Sequence, residues 1–381
     1  MQYCLRMVKR DYWIKRIEQA WKRRTIVWLA GVRRVGKTCL CQSLDNVEYF
    51  DCERPQIRRQ MEDPESFLNG MKGRRIVLDE VHRLANPSQI LKIAADHYPD
   101  IRIIATGSSS LGASAKFKDT LTGRKANIWL TPMLLKELPD FKKPDISRRM
   151  LRGGLPAFFL ADAALDSDYQ EWMDAYWSKD ILELFRLERR ASFQRLMELI
   201  FANSGGIFEA TRYAAPCEIS RTAVHNYLAV LKETFVAHVI RPFSTHRPTE
   251  IVAAPKVYAF DTGFVCCFRG WSQLRAEDRG FLWEHLVLNE LQSVLEGDTI
   301  RYWRDKRGHE VDFILANRGR NPVALECKWS ADAFIPDNVL LFRRQYPEGD
   351  NIVVCHDVEK SYSRRYADIT FIFKSMENLA F

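Results

Sequence analysis

Short apolar runs alternate with longer amphipathic segments over the first 135 residues of the chain. Tyr12, Trp13, Ile17 and Trp21 recur at helical spacing among lysines and arginines, which predicts an amphipathic helix over residues 10–22. The apolar runs are hydrophobic on both faces, as is typical of buried parallel strands. Strands are therefore predicted at residues 26–30, 47–50, 76–78, 101–105 and 128–130. Segments of helical length between most of these strands predict an α/β fold with a doubly wound parallel sheet.

The pattern changes after the fifth predicted strand. Several prolines and the turn from Gly153 to Pro156 interrupt the alternation of strands and helices. Residues 170–203 carry an apolar stripe at helical spacing, and residues 206–245 are predicted to form a helix, a turn, a second helix and extended chain. Strands and helices resume near residue 255, which predicts a separate domain there.

A phosphate-binding loop follows the first predicted strand. Residues 31–38, GVRRVGKT, fit G-x-x-x-x-G-K-[ST] at every fixed position and lead into a predicted helix. The glycines let backbone N–H groups turn toward phosphates, and the helix N-terminus adds positive potential. Lys37 is expected to reach the β- and γ-phosphates and Thr38 to hold Mg²⁺, so ATP and Mg²⁺ are the predicted cofactors. Nucleotide contacts are predicted from Gly31, Val32, Arg33, Arg34, Val35, Gly36, Lys37, Thr38 and Cys39.

Two acids end the apolar strand that begins at residue 75. Asp79 is expected to bind Mg²⁺ through water, and Glu80 to polarise the attacking water as a general base. The adjacent acid favours attack by water, and hence hydrolysis, over transfer to a second substrate. The alternative is a strand that ends in a solvated acidic turn.

Polar residues at two further strand boundaries extend the candidate catalytic set. The fourth strand ends in TGSSS, where Thr106 or Ser108 is placed to orient the attacking water, the alternative being an ordinary Gly/Ser loop. Arg124 precedes the last strand and is expected to stabilise charge on a γ-phosphate, either in its own chain or in a neighbouring subunit. The alternative is a surface arginine. Action in a neighbouring subunit would require a homo-oligomer.

The middle of the chain contains a candidate DNA-reading helix. Ser220 is a predicted N-cap, and Val224, Leu228 and Leu231 are expected to face inward from the helix that follows. Its outward face would then contact a groove of double-stranded DNA, as the recognition helix of a helix-turn-helix does. The alternative is an adaptor that contacts protein. The outward-facing candidates for DNA contact are Arg221, Thr222, His225 and Asn226.

The last third of the chain combines a predicted acidic helix with two charged strands. In a strand, residues two apart share a face, so Glu326 and Lys328 point the same way and Asp312 meets them if the strand register allows. Inward-facing charges are costly unless they coordinate something. Two acids and a lysine suit a Mg²⁺ site for phosphodiester cleavage. Glu284 or Glu290 would supply an extra acid from the helix.

The last of these patterns resembles the PD-(D/E)XK nucleases, with Val311 in the place of the proline. The alternative is a nuclease-like fold used only for binding or assembly. The first half resembles the AAA+ ATPases, and the whole chain is similar to a prokaryotic family of AAA-type ATPases with a winged-helix middle and a nuclease-like C-terminal domain. The residues that carry this resemblance are GVRRVGKT, RRIVLDEVHR, IIATGSSS, LTGRKANIWLTP, RGGLPAF, YAFDTG and HEVDFIL with ALECKWS.

The resemblance implies a five-stranded core with a helical lid that Gly153, Gly154 and Pro156 shape near the nucleotide. It also implies a sensor role for Thr106 or Ser108 and an arginine-finger role for Arg124. On this basis the chain divides into an AAA-type core (1–135), a helical lid (136–203), a winged-helix segment (204–250) and a PD-(D/E)XK-like domain (251–381).

Composition and charge add the remaining expectations. The net charge of +8 favours an anionic partner such as DNA. Nine cysteines lack the paired spacing of a zinc site, which indicates reduced thiols and a cytoplasmic protein. No apolar run approaches the roughly 20 residues of a membrane span, so no membrane partner is expected. The predicted function is Mg²⁺-dependent ATP hydrolysis on or with DNA. The alternative is a nucleotide switch or a protein-remodelling ATPase with an inactive nuclease-like scaffold.

Overall fold

The computed structural model describes residues 8–107, 117, 120–163, 165–185, 187, 189–245, 253–295, 299–316 and 319–379. Within these ranges the helices surround two sheets. The α-helices are α1 (Asp11–Trp21), α2 (Lys37–Gln42), α3 (Pro55–Gln60), α4 (Pro64–Gly70), α5 (Pro87–His97), α6 (Ile146–Arg152), α7 (Pro156–Leu160), α8 (Asp166–Tyr176), α9 (Leu182–Phe185), α10 (Arg190–Ala202), α11 (Ala210–Ala214), α12 (Arg221–Glu233), α13 (Thr262–Phe268), α14 (Ala276–Val294) and α15 (Asp337–Gln345).

Short helical turns link some of these helices, and fourteen strands form the two sheets. A π-helical turn (Trp177–Ile181) joins α8 to α9. The 3₁₀ turns are Val81–Arg83, Leu135–Glu137, Ala331–Ala333 and Met376–Asn378. The strands are β1 (Ile26–Ala30), β2 (Glu48–Asp51), β3 (Arg75–Asp79), β4 (Arg102–Thr106), β5 (Lys125–Trp129), β6 (Gly206–Ile207), β7 (Ala237–Pro242), β8 (Lys256–Ala259), β9 (Ile300–Arg304), β10 (Glu310–Leu315), β11 (Val323–Lys328), β12 (Asn351–Cys355), β13 (Tyr362–Tyr366) and β14 (Ile369–Lys374).

The first sheet is the predicted parallel sheet. Its strand order is β2-β3-β4-β1-β5, with every neighbouring pair parallel. All five residues of β1 are buried, as expected for a central strand covered on both faces. The edge strand β5 begins three residues earlier than predicted. Its first three residues are partly or fully exposed and only Ile128 is buried, so the apolar run used for the prediction covered only the end of the strand. The strand order brings the carboxyl ends of β1, β3 and β4 together at one edge of the sheet.

The second sheet joins the middle of the chain to its last third. Its order is β13-β14-β12-β11-β10-β9-β7-β8-β6. In the middle segment, α10, β6, α11, α12, β7 and β8 follow one another, and β8 pairs antiparallel with both β6 and β7. β7 in turn pairs in parallel with β9. The domain boundary predicted at residue 250 therefore crosses a continuous sheet, because strand pairing between distant segments leaves no local mark in the sequence.

A buried polar contact ties the helices after the first sheet to the rest of the chain. Asp261 accepts hydrogen bonds from the backbone N–H of Gly154 (2.5 Å) and of Gly263 (2.9 Å). The guanidinium of Arg149, itself buried, lies 3.9 Å from the same carboxylate. A Cβ on Gly153 would lie 1.8 Å from the Asp261 side chain, and one on Gly154 would meet Arg149 at 2.5 Å. The adjacent glycines are thus required by the close approach of these two charged side chains.

We expect Asp261→Asn to destabilise the protein by about 3 kcal/mol, because it leaves the buried Arg149 charge uncompensated. An amide oxygen also accepts from only one of the two backbone N–H groups that the carboxylate satisfies. Urea unfolding followed by circular dichroism measures the change. Asp45→Asn, which removes an exposed ion pair with Lys9, is the control and should leave the transition unchanged. Equal transitions for both variants would show that the Asp261 contact does not stabilise the fold.

Candidate nucleotide-binding site

The loop between β1 and α2 forms one wall of a cleft. A Cβ at Gly31 would lie 2.5 Å from the carbonyl oxygen of Leu130, which leaves no room for a side chain. Gly36 has a φ of 100°, a backbone conformation that favours glycine. The Lys37 ammonium donates to the carbonyl oxygens of Gly31 (2.8 Å) and Val32 (3.2 Å). Burial lowers the pKa of Lys37, and Glu80, Asp180 and Asp79 oppose this shift. The ammonium is therefore held inside the loop among carboxylates.

Asp79, buried at the end of β3, accepts hydrogen bonds from three hydroxyl groups. Thr38 donates to Oδ2 at 2.8 Å, Tyr49 donates to the same oxygen, and Thr106 donates to Oδ1. These residues come from α2, β2 and β4, which the parallel sheet brings to its carboxyl edge. Of the two predicted sensor residues, Thr106 lies in this cluster, and Ser108 lies outside the described residues.

Glu80 occupies a strained backbone position directly after Asp79. Its φ of 54° and ψ of 45° are left-handed, and its N–H donates to the Thr106 hydroxyl at 3.0 Å. His82 Nδ1 lies 3.1 Å from the Glu80 carboxylate. Burial raises the pKa of Glu80, but the His82 hydrogen bond and the Lys37 charge outweigh it and leave the pKa lowered. Glu80 is therefore ionised at neutral pH and lines the cleft.

The cleft has room for about 560 Å³, within the range of about 300–1,000 Å³ that is typical of ligand pockets. The side chain of Val35 faces the core, and its carbonyl accepts from Arg10 at 3.0 Å. Arg10 is buried and paired with Glu137 at 2.6 Å. Every other residue predicted to contact nucleotide lines the cleft: Gly31, Val32, Arg33, Arg34, Gly36, Lys37, Thr38 and Cys39.

Several cleft residues have no signal in the loop motif. Arg10, Tyr49, His82 and Asp180 all line the cleft but lie outside the phosphate-binding pattern. For His82 alone the sequence offers a local signal. It lies two residues after Glu80, on the turn that follows the acidic pair. The other three come from distant segments. The helical segment predicted as a lid reaches the cleft through Pro156, Tyr176 and Asp180.

Arg124 lies at the other end of the sheet from the cleft. It directly precedes β5, whose first residue pairs with Ile26 at the start of β1. Gly31 follows five residues later, so roughly 16 Å along the strand separates this end from the phosphate-binding loop. Its guanidinium pairs with Asp96 at 2.6 Å. An arginine-finger role within the same chain therefore does not fit this structure. Action on a neighbouring subunit stays a prediction.

A second charged cluster lies between α14 and the strands β8, β10 and β11. The β10–β11 register pairs Phe313 with Leu325, which sets Asp312 opposite Glu326. Lys328 lies 2.6 Å from Glu326 and 3.6 Å from Asp312. Within the described part of the chain, Glu326 Oε1 is buried without a hydrogen-bond partner. The predicted strand residues are thus brought together as the sequence suggested.

The helical acid of this cluster is Glu284. It accepts from Tyr258 and from Lys256, whose ammonium lies 3.3 Å from it and 2.6 Å from Glu310. Burial and then Asp312 raise the pKa of Glu284. The alternative, Glu290, accepts from the backbone N–H of Leu135 instead and is not in the cluster. Sequence reasoning missed Lys256, because β8 reaches these strands only through the second sheet.

Helix α12 exposes the predicted DNA-contacting face. Val224, Leu228 and Leu231 are buried, and Ser220 caps the helix by accepting from the N–H of Ala223 at 3.1 Å. At its other end, Thr234 lines the cleft. The four outward-facing residues, Arg221, Thr222, His225 and Asn226, are all exposed.

Residues 23–139 match the AAA domain family. We refer to this part of the chain, which is similar to AAA domains, as the AAA domain. Residues 143–275 and 279–372 match two domains of unknown function, DUF8612 and DUF4143. The AAA domain thus contains the phosphate-binding loop, Asp79, Glu80 and Thr106, whereas Asp180 and α12 belong to the second match and most of the charged C-terminal cluster to the third.

Similar proteins include uncharacterised proteins of Mycobacterium tuberculosis and Mycobacterium bovis. Each is 27% identical over 337 residues, covering 85% of this chain and 75% of the relative. Among solved structures, the Walker-type ATPase of Pyrococcus abyssi is 16% identical, with a TM-score of 0.44, and the match covers 69% of this chain and 96% of the other. Cdc6p of Pyrobaculum aerophilum is 12% identical, with a TM-score of 0.29, covering 71% and 96%.

No helix in the described ranges has the length and apolar character needed to cross a membrane. Likewise, the described residues contain no group of three or more His, Cys, Asp and Glu side chains arranged to hold a metal ion. In the AAA domain this is compatible with Mg²⁺, which is commonly held by one or two protein ligands together with substrate phosphates. In the C-terminal cluster, Lys328 instead lies between the two acids that would bind a metal.

Proposed function

We propose that this protein is a Mg²⁺-dependent AAA-type ATPase that hydrolyses ATP to ADP and phosphate. The observation that carries the proposal is the convergence of Thr38, Thr106 and Tyr49 on Asp79, beside Lys37 and in a cleft of suitable volume. Three hydroxyl donors fix a buried carboxylate at the end of a strand that faces the phosphate-binding loop. A solvated acidic turn, the alternative to this interpretation, would not require such a set of donors.

The residues of the cleft divide the work of phosphate transfer to water. Lys37 exchanges its contacts with the loop carbonyls for the phosphate oxygens and stabilises their charge. Glu80, which its lowered pKa keeps ionised, orients the attacking water and accepts its proton. Thr106 holds the Glu80 backbone and Asp79 in one arrangement.

Thr38 and Asp79 are the residues that would hold Mg²⁺. Their oxygens are hard ligands of the kind that Mg²⁺ prefers, and they lie at the mouth of the phosphate-binding loop. When bound, Mg²⁺ would neutralise charge on the phosphate oxygens. Tyr49 supports this pair from β2 by holding the Asp79 carboxylate in place.

We expect Tyr49→Phe to raise the Mg²⁺ concentration needed for half-maximal ATP turnover by about 10-fold, because Asp79 loses one of its orienting donors. A Mg²⁺ titration of ATP turnover measures this shift. Tyr98→Phe is the matched control, since the Tyr98 hydroxyl donates to the Glu65 carbonyl outside the cleft, and should leave the titration unchanged. An unaltered Mg²⁺ dependence in Tyr49→Phe would remove Tyr49 from the metal-supporting set.

Double-stranded DNA is the macromolecular partner that we propose for the ATPase. The exposed face of α12, with Arg221 at its beginning, and the net charge of +8 support this partner. The order α10, β6, α11, α12, β7, β8 supports the interpretation of this segment as a winged helix. The proposal depends on this surface, on the net charge and on the order of elements.

For the C-terminal cluster we propose a PD-(D/E)XK-like fold that serves binding or assembly. The order of Glu284, Asp312, Glu326 and Lys328 supports the fold. The pairing of Lys328 with both acids, and of Lys256 with Glu284, neutralises the charges that a cleavage metal would need.

The test measures Mg²⁺-dependent ATP turnover with and without duplex DNA and follows the DNA on the same gel. We expect DNA to stimulate turnover and to remain intact, and Arg221→Ala to weaken the stimulation. DNA cleavage that is lost in Glu326→Ala would instead establish a working nuclease. Turnover that is indifferent to DNA would favour the alternative, a nucleotide switch or a protein-remodelling ATPase. Absence of turnover would contradict the ATPase assignment itself.

A further inference from the structure

Arg33, at the third position of the phosphate-binding loop, is paired with an acid of the helical segment above it. Its Nε lies 2.7 Å from Asp180 Oδ2, and both side chains are about three-quarters or more shielded, at 24% and 20% exposure. The indole N–H of Trp172 donates to the backbone carbonyl of Arg33 at 3.1 Å. Both the side chain and the backbone of this loop residue are therefore held by the lid.

The Arg33–Asp180 pair lies where a terminal phosphate is expected. Arg33 and Asp180 line the cleft together with Lys37 and Glu80. Burial raises the pKa of Asp180, and Arg33 and Lys37 oppose that shift, so the acid lies within electrostatic reach of the phosphate-binding lysine. A triphosphate on Lys37 would bring like charge close to Asp180, whereas guanidinium groups bind phosphate oxygens well. Arg33 thus has two competing partners.

Asp180 belongs to an unusual piece of helix that is connected to α12. It lies in the π-helical turn Trp177–Ile181, and such turns occur frequently at functional sites. The residue just before this turn, Tyr176, shares a hydrogen bond of 2.5 Å with Thr234. Thr234 directly follows α12 and also donates to the Val230 carbonyl at 2.7 Å. A single run of contacts therefore joins Arg33 to the end of α12.

We propose that the Arg33–Asp180 pair is a nucleotide-responsive latch between the phosphate-binding loop and the lid. Binding of a terminal phosphate draws Arg33 away from Asp180 and frees the turn Trp177–Ile181, which changes the constraint on α12 through Tyr176 and Thr234. Asp180 is a positioning residue in this scheme, because it acts on the phosphates only through Arg33. The inference rests on the proposed binding of ATP and adds the route by which ATP in the cleft affects α12.

The test compares Asp180→Asn with the unaltered protein by two measurements, the Kd of a fluorescent ATP analogue and backbone hydrogen exchange with and without ATP. In the unaltered protein, ATP should accelerate exchange at residues 177–181 and 230–234. In Asp180→Asn, this faster exchange should be present without ATP, and the analogue should bind at least about 5-fold more tightly, because no acid competes for Arg33.

Two further variants make the result decisive. Glu171→Gln removes a second, exposed ion pair between the loop and the lid, in which Glu171 lies 2.8 Å from Arg34 and is 67% exposed. This variant should behave as the unaltered protein does. Arg33→Gln opens the latch from the other side, so exchange at residues 177–181 should rise without ATP while the analogue binds more weakly. This variant supplies the exchange result if Asp180→Asn does not fold.

Wild-type affinity together with a retained ATP-dependent change of exchange in Asp180→Asn would overturn the latch. So would ATP binding to the unaltered protein without any change at residues 177–181, and in both cases the ATPase assignment stands. Failure of the unaltered protein to bind the analogue would overturn the proposed function and, with it, this inference.

Discussion

Lys37→Ala is expected to lower ATP turnover by about 100-fold or more and to weaken ATP binding, because it removes the ammonium that stabilises the phosphate charge from inside the loop. The Lys37 ammonium is already placed within the loop, bonded to the carbonyl oxygens of Gly31 and Val32. Phosphate release from ATP and the Kd of a fluorescent analogue measure the two effects. Retained turnover in this variant would contradict the assignment of the cleft as the ATPase site.

Lys179→Ala is the matched control for this experiment. Lys179 also lines the cleft, but its side chain is exposed at the rim and it lies outside the phosphate-binding loop. Loss of a screened surface charge should change turnover little. A comparable loss in both variants would indicate a general electrostatic effect of the cleft in place of a specific contact from Lys37.

Glu80→Gln is expected to keep ATP binding while lowering turnover by roughly 100- to 10,000-fold. The amide preserves the shape of the side chain but cannot accept a proton from water. The left-handed backbone at residue 80 and the bond from its N–H to Thr106 do not involve the carboxylate, so the turn should persist. Single-turnover hydrolysis beside equilibrium binding of ATP separates the chemical step from affinity.

Glu53→Gln tests whether this effect belongs to Glu80 or to any acid of the cleft. Glu53 lines the same cleft but is exposed two residues after the end of β2. We expect near-normal turnover from this variant. If Glu80→Gln hydrolyses ATP at the normal rate, the proton acceptor must be another group, and the role assigned to the second acid of the strand would be wrong.

The two parts of the chain that carry charge chemistry are linked through buried contacts. Asp261, directly after β8, holds Gly154 beside Arg149, and Pro156 two residues later lines the nucleotide cleft. The same strand, β8, provides Lys256 to the C-terminal cluster. The contacts of Asp261 therefore join residues beside the cleft to the sheet that contains this cluster.

Much of the AAA domain was predictable because its signals are local. An all-apolar strand, a glycine-rich loop and a strand that ends in two acids each occupy fewer than ten residues, and their physical requirements determine the residue types. The parallel sheet follows those predictions, whereas the contact between Thr106 and Asp79 was not predicted. On α12, the helical period separated the buried Val224 and Leu228 from the exposed Arg221 and His225.

Other features depended on pairing between distant segments. The choice of Glu284 over Glu290 required the position of α14 against the strands, since both acids lie on the same helix. The helical period placed neither acid relative to β10 and β11. Arg124 looked equally suited to two roles until the sheet placed it at the end opposite the cleft, beside Asp96.

The sequence by itself determined the phosphate-binding chemistry, the order of strands and helices in the AAA domain and the outward face of α12. Only the tertiary structure decided which remote side chains complete the cleft. Arg10 meets Glu137, 127 positions away, and Arg33 meets Asp180, 147 positions away. Motifs and periodicities reflect constraints between neighbours along the chain, whereas these ion pairs depend on where the folded backbone brings separate segments together.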